Sequence, residues 1–339
     1  MTGRSHDRSD SKVCLEMREQ MDISILLALQ DFRNGAGSIL TDFFVKMTFL
    51  SELNSVLVMM ALIYWSVSKE LGTCLMMGWS GNRLVNGALK VTVCAYRPWI
   101  RDARIIPYGD SISTATGYSF PSGHTMNGAS LFGGGALQKD LPAALRVVLG
   151  MMVVLIAFSR LFLGVHTLQD VLVGGCAGIL VMWLTIRLLQ WIARHPEKDV
   201  PVAFLGIGLG IAVALYAAFK SYPADFDTQG KLIVDGAKMA NDTFKGVGYC
   251  AAFLIGWIME RRLVGFSTDV PMAQKLGRIV IGLLGYYAVS LILGPLIKSW
   301  IPGPAGTTIS CFLQMFYVVF LVPMCAKRFE KSFTGKNTV

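Results

Sequence analysis

Apolar residues in this chain occur in long runs that are separated by short polar segments. A helix that crosses the hydrocarbon core of a bilayer needs about 20 mostly apolar residues. Candidate runs lie at about 49–67, 71–95, 124–138, 143–163, 168–191, 202–220, 247–260, 277–297 and 308–326. The third and seventh runs are short, and either could form a half-buried helix. The pattern predicts an all-α, polytopic transmembrane helical bundle of roughly nine spans.

The N-terminal region does not follow this pattern. Residues 1–20 are polar, without the apolar run of a cleavable signal peptide, and we expect a disordered or surface tail there. Residues 22–33 are amphipathic but too short and too charged to span, which predicts a helix in the membrane interface. Gly35 and Gly37 are expected to end that helix. We therefore assign residues 1–48 to an N-terminal tail and interfacial helix.

Composition argues against a soluble enzyme. Of the 339 residues, 53% are hydrophobic and 16% are charged, whereas about a quarter charged is usual for a soluble domain. This balance also excludes a disordered chain and a coiled coil. The seven cysteines are odd in number, scattered and outside any CxxC pair. Neither a disulfide framework nor a zinc site is therefore expected.

The chain carries a formal net charge of +9. In a soluble protein that balance would suggest a nucleic-acid partner, but in a membrane protein it is typical of basic cytoplasmic loops and contact with anionic lipid. We expect membrane lipids as partners and no nucleic acid. If the turn near Lys69 is cytoplasmic, most basic loop residues and the C-terminus fall on that face, as the positive-inside rule requires. The basic N-terminal tail conflicts with an external N-terminus, and an extra early hairpin would place it inside, so its side stays open.

Three polar segments at span ends fall on the opposite, external face: 90–98, 121–124 and 159–170. Lys90 and Arg97 are seven residues apart, which is two helical turns, so they point the same way. Arg160 adds a third cation. Arginine matches phosphate oxygens two at a time, and lysine adds a point charge. These residues predict a cradle for a tetrahedral oxyanion.

Ser122 and the backbone amides of Ser122, Gly123 and His124 would complete this cradle. They lie at a predicted helix N-terminus, where free N–H groups and the helix dipole favour an anion. Gly123 would allow close approach of the backbone. His124 is expected to be the general acid that protonates a leaving oxygen.

His166 and Asp170 are four residues apart and are expected on one face of a helix. Asp170 would accept a hydrogen bond from one ring nitrogen, which fixes the tautomer and leaves the other nitrogen as a nucleophile. A nucleophile, an acid and a cationic cradle suit phosphoryl transfer. His6 and His195 are assigned no role.

The order Lys-x6-Arg-Pro, Pro-Ser-Gly-His and Ser-Arg-x5-His-x3-Asp resembles the signature of the type 2 phosphatidic acid phosphatase and vanadium haloperoxidase superfamily, with every polar position matched. The resemblance covers residues 90–170 directly. It implies a six-helix-type phosphatase core, here placed at 49–192, followed by additional transmembrane helices at 193–339. It also implies a phosphatase without metal or cofactor, in which His166 forms a phosphohistidine, Asp170 orients it and His124 protonates the leaving alcohol. The phosphate-binding residues that it implies are Lys90, Arg97, Ser122, Gly123 and Arg160.

Each of these features alone has a simpler structural interpretation. A lone cation at a span end is often a snorkelling interface residue, a Pro-Ser-Gly turn is often only a helix cap, and a His–Asp pair is often only an i,i+4 contact. Only the joint pattern favours a functional site. Arg83, near the middle of a predicted span, stays open. It either pairs with a structural carboxylate such as Glu52, which we favour, or joins Asn86 and Lys90 in a polar floor below the phosphate site.

The sequence therefore predicts an integral membrane phosphatase, in the plasma membrane with an external site, that hydrolyses a phosphomonoester or pyrophosphate of a lipid. Candidate substrates are phosphatidate, phosphatidylglycerol phosphate, polyprenyl (pyro)phosphate and sphingoid phosphates. The alternatives are a glucose-6-phosphatase-like hydrolase of a soluble phosphomonoester, a vanadate-dependent haloperoxidase and a non-hydrolytic transporter. The acidic segment 222–244 is either a lid over the site or a solvated connector, and we favour the connector. The oligomeric state stays open.

Overall fold

Helices account for almost all of the regular structure. The computed structural model describes residues 4–334, with the side chains of residues 20–328. Within that range the only β-type pairing is an isolated bridge between Phe226 and Leu232. In chain order the α-helices are α1 (Arg4–Gly35), α2 (Gly37–Phe49), α3 (Leu53–Leu62), α4 (Lys69–Val93), α5 (Pro98–Arg101), α6 (Gly123–Gly128), α7 (Gly134–Ala136), α8 (Ala143–Phe162), α9 (Leu168–Arg194), α10 (Asp199–Phe219), α11 (Gly236–Met259), α12 (Met272–Ala288), α13 (Gly294–Trp300), α14 (Pro304–Phe316) and α15 (Val322–Thr334). The all-α prediction is confirmed.

Five helical segments of the described chain are long and apolar enough to cross a membrane. They are Ala143–Phe162, Leu168–Arg194, Pro196–Phe219, Met272–Trp300 and Pro304–Arg328. A sixth results if Gly37–Phe49 and Leu53–Val67, which meet at a bend of 63°, form one broken span. The count of nine spans stays a prediction, although each of the nine predicted runs is mainly helical.

Two of the remaining predicted spans, at 71–95 and 247–260, correspond to α4 and α11 in the interior of the bundle. Helix α4 packs against α9, α10 and α11, and α11 also packs against α14. A Cβ atom on Gly246 of α11 would lie 3.1 Å from the carbonyl oxygen of Arg83 on α4. Glycine thus permits the close approach of these two helices. Both helices carry buried polar residues, such as Asn86 and Thr243, and neither is among the helical segments apolar enough to count as a span.

The N-terminal region differs from its prediction. Helix α1 includes residues 4–20, so the disordered alternative is wrong there and the surface tail stays a prediction, while residues 1–3 lie outside the described range. The segment is polar, but it is rich in good helix formers such as Glu, Met, Arg and Gln, and polarity alone does not reveal this propensity. The predicted break is present, because Gly37 adopts a φ of +76°.

The predicted connector at 222–244 is also wrong in part, because α11 begins at Gly236. The side chain of Asp235 caps this helix, with its Oδ1 atom accepting from the N–H groups of Ala237 at 2.9 Å and Lys238 at 3.3 Å. The polar residues that suggested a loop, such as Asp242, lie on a helix that faces a polar cavity.

Four helix ends meet at one end of the bundle: the last turns of α4 and α8 and the first turns of α6 and α9. The left-handed conformation of Cys94, with a φ of 52°, ends α4. Ser122 caps α6, and Thr167 caps α9. A Cβ atom on Gly174 of α9 would lie 3.0 Å from the carbonyl oxygen of Ser122. The lack of a side chain there lets α6 start directly against α9.

Candidate active site

A cavity of about 340 Å³ lies where these helix ends meet. The predicted site residues that line it are Lys90, Arg97, Gly123, His124 and His166. The other three, Ser122, Arg160 and Asp170, are buried and do not line it. Residues from all three sequence motifs therefore meet at one place.

His166 and Asp170 are in contact, but the predicted shared helix face is wrong. His166 precedes α9, whereas Asp170 lies in its first turn. The Asp170 carboxylate turns back toward the start of the helix, where its Oδ2 atom accepts from the N–H of Thr167 at 2.8 Å in a capping box. The same oxygen lies 3.2 Å from Nδ1 of His166. Helix capping thus places the carboxylate beside the imidazole.

Arg97 determines which nitrogen of His166 carries the proton. Its Nη1 atom lies 2.9 Å from Nε2 of His166. A guanidinium can only donate, so Nε2 must be unprotonated and Nδ1 must carry the hydrogen that points to Asp170. The Arg97 side chain is itself held by the carbonyl oxygens of Val165 at 2.9 Å and Gly117 at 3.0 Å. The unprotonated nitrogen is therefore the one that a nucleophile needs, and it faces a cation.

Electrostatics favour the neutral form of His166. Burial, and secondly the positive charge of Arg97, lower the pKa of His166 well below its ordinary value, while the hydrogen bond to Asp170 acts in the opposite direction. Burial also lowers the pKa of Arg97 to about 10, which leaves its guanidinium charged at neutral pH. The imidazole is therefore neutral at pH 7, with a lone pair available on Nε2.

Lys90 and His124 complete this part of the cavity wall. The Nζ atom of Lys90 donates to the carbonyl oxygen of Tyr118 at 2.7 Å and is 3.4 Å from that of Ser119. The side chain of His124 makes no hydrogen bond to any described residue. Its ring is therefore free to donate to, or accept from, a molecule in the cavity.

Contrary to the prediction, Ser122 does not line the cavity. Its N–H donates to the carbonyl oxygen of Asp170 at 2.9 Å, and its hydroxyl accepts from the hydroxyl of Thr125 at 2.9 Å. With its N–H bonded to α9 and the residue fully buried, Ser122 holds the start of α6 against α9. The next two residues, Gly123 and His124, lie in the first helical turn, where N–H groups have no intrahelical acceptor. The amides that can meet an anion are therefore those of Gly123 and His124.

Arg160 is fully buried on α8. Its Nη1 atom donates to the hydroxyl of Thr48 at 3.4 Å, while its Nε and Nη2 atoms have no partner among the described residues. Buried donors are rarely left without an acceptor. Two unpaired donors on one buried guanidinium are available to an oxyanion acceptor.

Sequence reasoning missed Ser119. Its hydroxyl donates to Oδ2 of Asp170 and is 3.4 Å from Nδ1 of His166. The one available signal was its position three residues before Ser122, in the segment that carries the second motif. Three charged cavity residues that no motif marks were not assigned to the site either, namely Glu52, Asp242 and Lys245.

The described residues contain no group of three or more His, Cys, Asp or Glu side chains arranged to hold a metal ion. The cysteines whose side chains are described are free thiols: Cys74, Cys94, Cys176, Cys250, Cys311 and Cys325. Cys14 lies outside the described side chains.

Fold and site together define a membrane-embedded helical protein with a cationic oxyanion pocket beside a histidine–carboxylate pair. Residues 69–194 match the model of the PAP2 superfamily, and residues 244–333 match that of the PAP2 superfamily phosphatase transmembrane extension. The two matches together cover more than half of the 339 residues. The chain belongs to the PAP2 superfamily and is an integral membrane protein.

Two curated proteins are similar to parts of this chain. Phosphatidylglycerophosphatase B from Bacillus subtilis (strain 168) is 32% identical over 135 residues, which are 38% of this chain and 62% of that protein. Lipid phosphate phosphatase delta from Arabidopsis thaliana is 24% identical over 241 residues, which are 59% of this chain and 57% of that protein. The chain thus spans less than two thirds of the length of either relative. The crystal structure of the first transmembrane PAP2 type phosphatidylglycerolphosphate phosphatase from Bacillus subtilis aligns with a TM-score of 0.44 and 26% identity, over 52% of this chain and 88% of that one.

Proposed function

We propose that the protein is a membrane phosphatase that removes a terminal phosphate from a phosphorylated lipid through a phosphohistidine. The observation that carries this proposal is the geometry of His166. Its Nδ1–H faces Asp170 at 3.2 Å, and its unprotonated Nε2 faces the cavity cation Arg97 at 2.9 Å. A neutral imidazole held in one tautomer beside fixed cations is suited to attack on phosphorus.

In the first step, Nε2 of His166 attacks phosphorus and a P–N bond forms. The P–O bond to the alcohol breaks, and His124 gives its proton to the departing oxygen. Burial and the neighbouring cations lower the pKa of His124, so the proton is held there only while the negative charge of the bound phosphate offsets those cations. Asp170 stabilises the positive charge that develops on the imidazole. When substrate is bound, the Arg97 N–H that otherwise donates to Nε2 of His166 donates to a phosphate oxygen instead, which frees the nucleophile.

In the second step, His124, now neutral, accepts a proton from water as the water oxygen attacks phosphorus. The P–N bond breaks, and inorganic phosphate leaves. The negative charge on the phosphoryl oxygens is stabilised in both steps by Lys90, Arg97 and the amides of Gly123 and His124. The positive charge of Arg160, which is buried and does not line the cavity, adds to this stabilisation. Ser122 contributes indirectly, because it holds the start of α6, which presents the amides of Gly123 and His124.

A lipid substrate is supported by where the cavity lies. It opens at the end of a bundle of apolar helices, so a lipid headgroup can reach it from the bilayer. The names of the two relatives, a phosphatidylglycerophosphatase and a lipid phosphate phosphatase, agree with this class. The candidates are phosphatidate, phosphatidylglycerol phosphate, polyprenyl (pyro)phosphates and sphingoid phosphates.

The proposal extends to location and organisation. The protein would lie in the plasma membrane. The distribution of basic loop residues supports an external active site and a cytoplasmic C-terminus. Residues 49–192 would form the catalytic core, and residues 193–339 would add further transmembrane helices.

The experiment is phosphate release by the purified protein in detergent with EDTA present. Wild type and His166→Ala are compared on a panel of lipid phosphates and on glucose 6-phosphate. His195→Ala is the matched control, because that histidine is exposed at the end of α9 and stacks only on Trp191. We expect release by wild type and the control but not by His166→Ala.

Equal release by His166→Ala would contradict the histidine mechanism. If wild type releases no phosphate but carries a phosphorylated compound across vesicles, and His166→Ala does the same, the protein is a transporter. Halide oxidation that depends on added vanadate would instead identify a haloperoxidase.

A further inference from the structure

Cations that no described carboxylate balances lie at both ends of the bundle. At the catalytic end, Arg83 lines the cavity with Lys90 and forms no ion pair with Glu52 or any other described carboxylate, so the favoured structural pairing is not present. At the other end, a second cavity of about 350 Å³ is formed by the turn between α7 and α8, the first turn of α8 and the C-terminal half of α9. The charged residues that line this basic cleft are Lys139, Asp140, Arg146 and Arg187.

The basic cleft and the catalytic cavity lie at opposite membrane interfaces. Helix α9 starts beside the catalytic cavity, where Asp170 contacts His166, and it passes the basic cleft at Arg187 and Gln190. Between residues 170 and 190 the helix rises about 30 Å, which matches the thickness of the hydrocarbon core of a bilayer. A molecule in the basic cleft therefore meets the lipid headgroups of the leaflet opposite to the one that the catalytic cavity faces.

Positive charge is in excess in the basic cleft. No ion pair joins Asp140, Lys139 or Arg187 to any described residue. Arg146 donates from Nε to the carbonyl oxygen of Ala136 at 2.9 Å, and its other donors have no partner in the described part of the chain. Three cations against one carboxylate leave a net charge of +2 in the lining, which favours an anion.

The cations converge on one space instead of reaching water separately. The Cζ atom of Arg187 lies 5.5 Å from the ring centroid of Trp183, which also lines the basic cleft. Arg146 is held by its bond to Ala136 on the far side of the turn. Basic residues that only snorkel extend to water independently of one another. Here they meet around a cavity beside a tryptophan ring, and tryptophan favours the headgroup level of a bilayer.

The two helices that flank the basic cleft present apolar side chains to the bilayer. Val147 and Val148 follow Arg146 on α8, Leu184 follows Trp183 on α9, and all three apolar side chains are exposed. Acyl chains below a bound headgroup would cover this surface, whereas a free anion would leave it uncovered. The surroundings of the basic cleft therefore favour a membrane lipid over a soluble anion.

A larger neighbouring cavity does not compete for the anion. This cavity, of about 600 Å³, shares four lining residues with the basic cleft: Gln138, Asp140, Ile186 and Gln190. Its two cations are already paired, Lys69 with Glu260 at 2.8 Å and Arg261 with Asp199 at 3.2 Å. Of the two adjoining cavities, only the basic cleft has cations without a carboxylate partner among the described residues.

We propose that the basic cleft binds the phosphate-bearing headgroup of an anionic phospholipid from the leaflet opposite the catalytic cavity. The phosphate accepts hydrogen bonds from Lys139, Arg146 and Arg187, and such charge-assisted bonds are among the stronger ones in proteins. The acyl chains lie along α8 and α9. These helices carry Arg160 and Asp170 at their other ends, so the lipid holds together two helices that build the catalytic site. This site does not depend on the proposed phosphatase function.

The test is the thermal stability of the purified protein in a neutral detergent during titration with a phospholipid. Phosphatidylglycerol is compared with phosphatidylcholine of the same acyl chains, and we expect only the anionic lipid to stabilise the protein. Lys139→Gln and Arg187→Gln should each weaken the apparent affinity about fivefold, the effect of one basic residue at a lipid surface. Lys198→Gln is the matched control, because this exposed lysine in the turn after α9 has the same charge and does not line the basic cleft.

Two further arms separate the source of the anion and the two cavities. Inorganic phosphate and glycerol 3-phosphate carry the anion without acyl chains, and equal stabilisation by either of them would overturn the assignment to a lipid. Lys90→Gln weakens the binding of a lipid in the catalytic cavity. A response to phosphatidylglycerol that is lost in Lys90→Gln but retained in Arg187→Gln would therefore also overturn the proposal.

Trp183 allows an independent measurement by fluorescence. Phosphatidylglycerol with brominated acyl chains should quench the tryptophan fluorescence of the wild type more than brominated phosphatidylcholine does, and the excess should disappear in Trp183→Phe. No excess, or an excess that survives in Trp183→Phe, would contradict a lipid in the basic cleft. Neither measurement uses phosphate release, so failure of the phosphatase proposal would leave this result unchanged.

Discussion

The hydroxyl of Ser119 donates to Oδ2 of Asp170, the same carboxylate oxygen that faces Nδ1 of His166. That oxygen also accepts from the N–H of Thr167. One oxygen thus receives hydrogen bonds from a side chain and the backbone while it orients the imidazole. The carboxylate is fixed by its surroundings before any substrate arrives, so the imidazole need not be ordered during the reaction.

Replacement of Ser119 by alanine tests this arrangement. Ser119→Ala removes one donor to the carboxylate but keeps the capping bond from Thr167, so we expect kcat to fall about tenfold with little change in KM. The variant should also change the acid limb of the pH profile, because Asp170 no longer has its full set of donors. The measurement is the steady-state rate on the best lipid phosphate between pH 4 and about 8.

Ser113→Ala is the control, because Ser113 is an exposed residue of the same connecting segment and donates only to the Asp110 carbonyl oxygen. A Ser119 variant with reduced thermal stability but an unchanged kcat and pH profile would show that the residue only supports the fold.

The lowered pKa of His166 predicts how the activity and the free energy of unfolding change with pH. Because the folded protein holds this imidazole neutral, activity should persist below the ordinary histidine pKa of about 6.5 and decline only at more acid pH. The unfolded chain binds a proton that the folded chain does not, so the free energy of unfolding decreases as pH falls from about 6.5 toward the folded pKa. Above that window this residue makes no pH-dependent contribution.

Thermal unfolding of wild type and His166→Gln across this pH range checks the stability part. Glutamine has no titrating ring, so the acid destabilisation should be smaller in the variant. An identical pH dependence in both proteins would show that folding does not shift the pKa of His166.

The contact between Gly174 and Ser122 gives a third prediction. In Gly174→Ala the new Cβ atom would lie 3.0 Å from the carbonyl oxygen and 3.3 Å from the nitrogen of Ser122, and neither backbone atom can rotate away. We expect α6 to shift from α9, with a loss of about 1–3 kcal/mol in the free energy of unfolding and a larger proportional loss of phosphate release.

Gly175→Ala provides the comparison. Its new Cβ atom would be 3.7 Å from a methyl group of Thr125, an ordinary contact. Both variants gain the same helix propensity from alanine, so the difference between them isolates the clash with Ser122. Equal activity of the two variants would show that the helix start tolerates displacement.

The sequence allowed the motif residues to be placed together, but it did not define their individual contacts. Lys90, Arg97 and His166 could be assigned to one site because their residue types and spacing suit an oxyanion. The capping geometry of Asp170 and the engagement of Ser122 depend on how α6 meets α9, which spacing along the chain does not encode. Ser119 was missed because its partner lies 51 residues away.

The hydropathy pattern likewise predicted only part of the structure in the second half of the chain. It identified the lipid-facing helices, whose apolar residues contact the membrane, but it interpreted the start of α11 as a connector. Residues 236–244 contain charged and polar side chains such as Lys238 and Asp242. These side chains lie at the polar end of the bundle, where a helix can carry them without burying them in apolar surroundings. A loop and a cavity-facing helix have the same composition, and only the tertiary structure distinguishes them.

The position of helix α11 affects how the chain can be divided into a catalytic segment and C-terminal helices. The segment 69–194 contains every motif residue from Lys90 to Asp170, yet part of the cavity wall, formed by Asp242, Thr243 and Lys245, comes from a helix far beyond it. A chimera in which the C-terminal helices are replaced by those of a relative would keep its own reacting groups. The part of its cavity wall that α11 forms would come from the relative. Substrate preference would then be inherited from the donor of those helices, and the motifs alone would not reveal it.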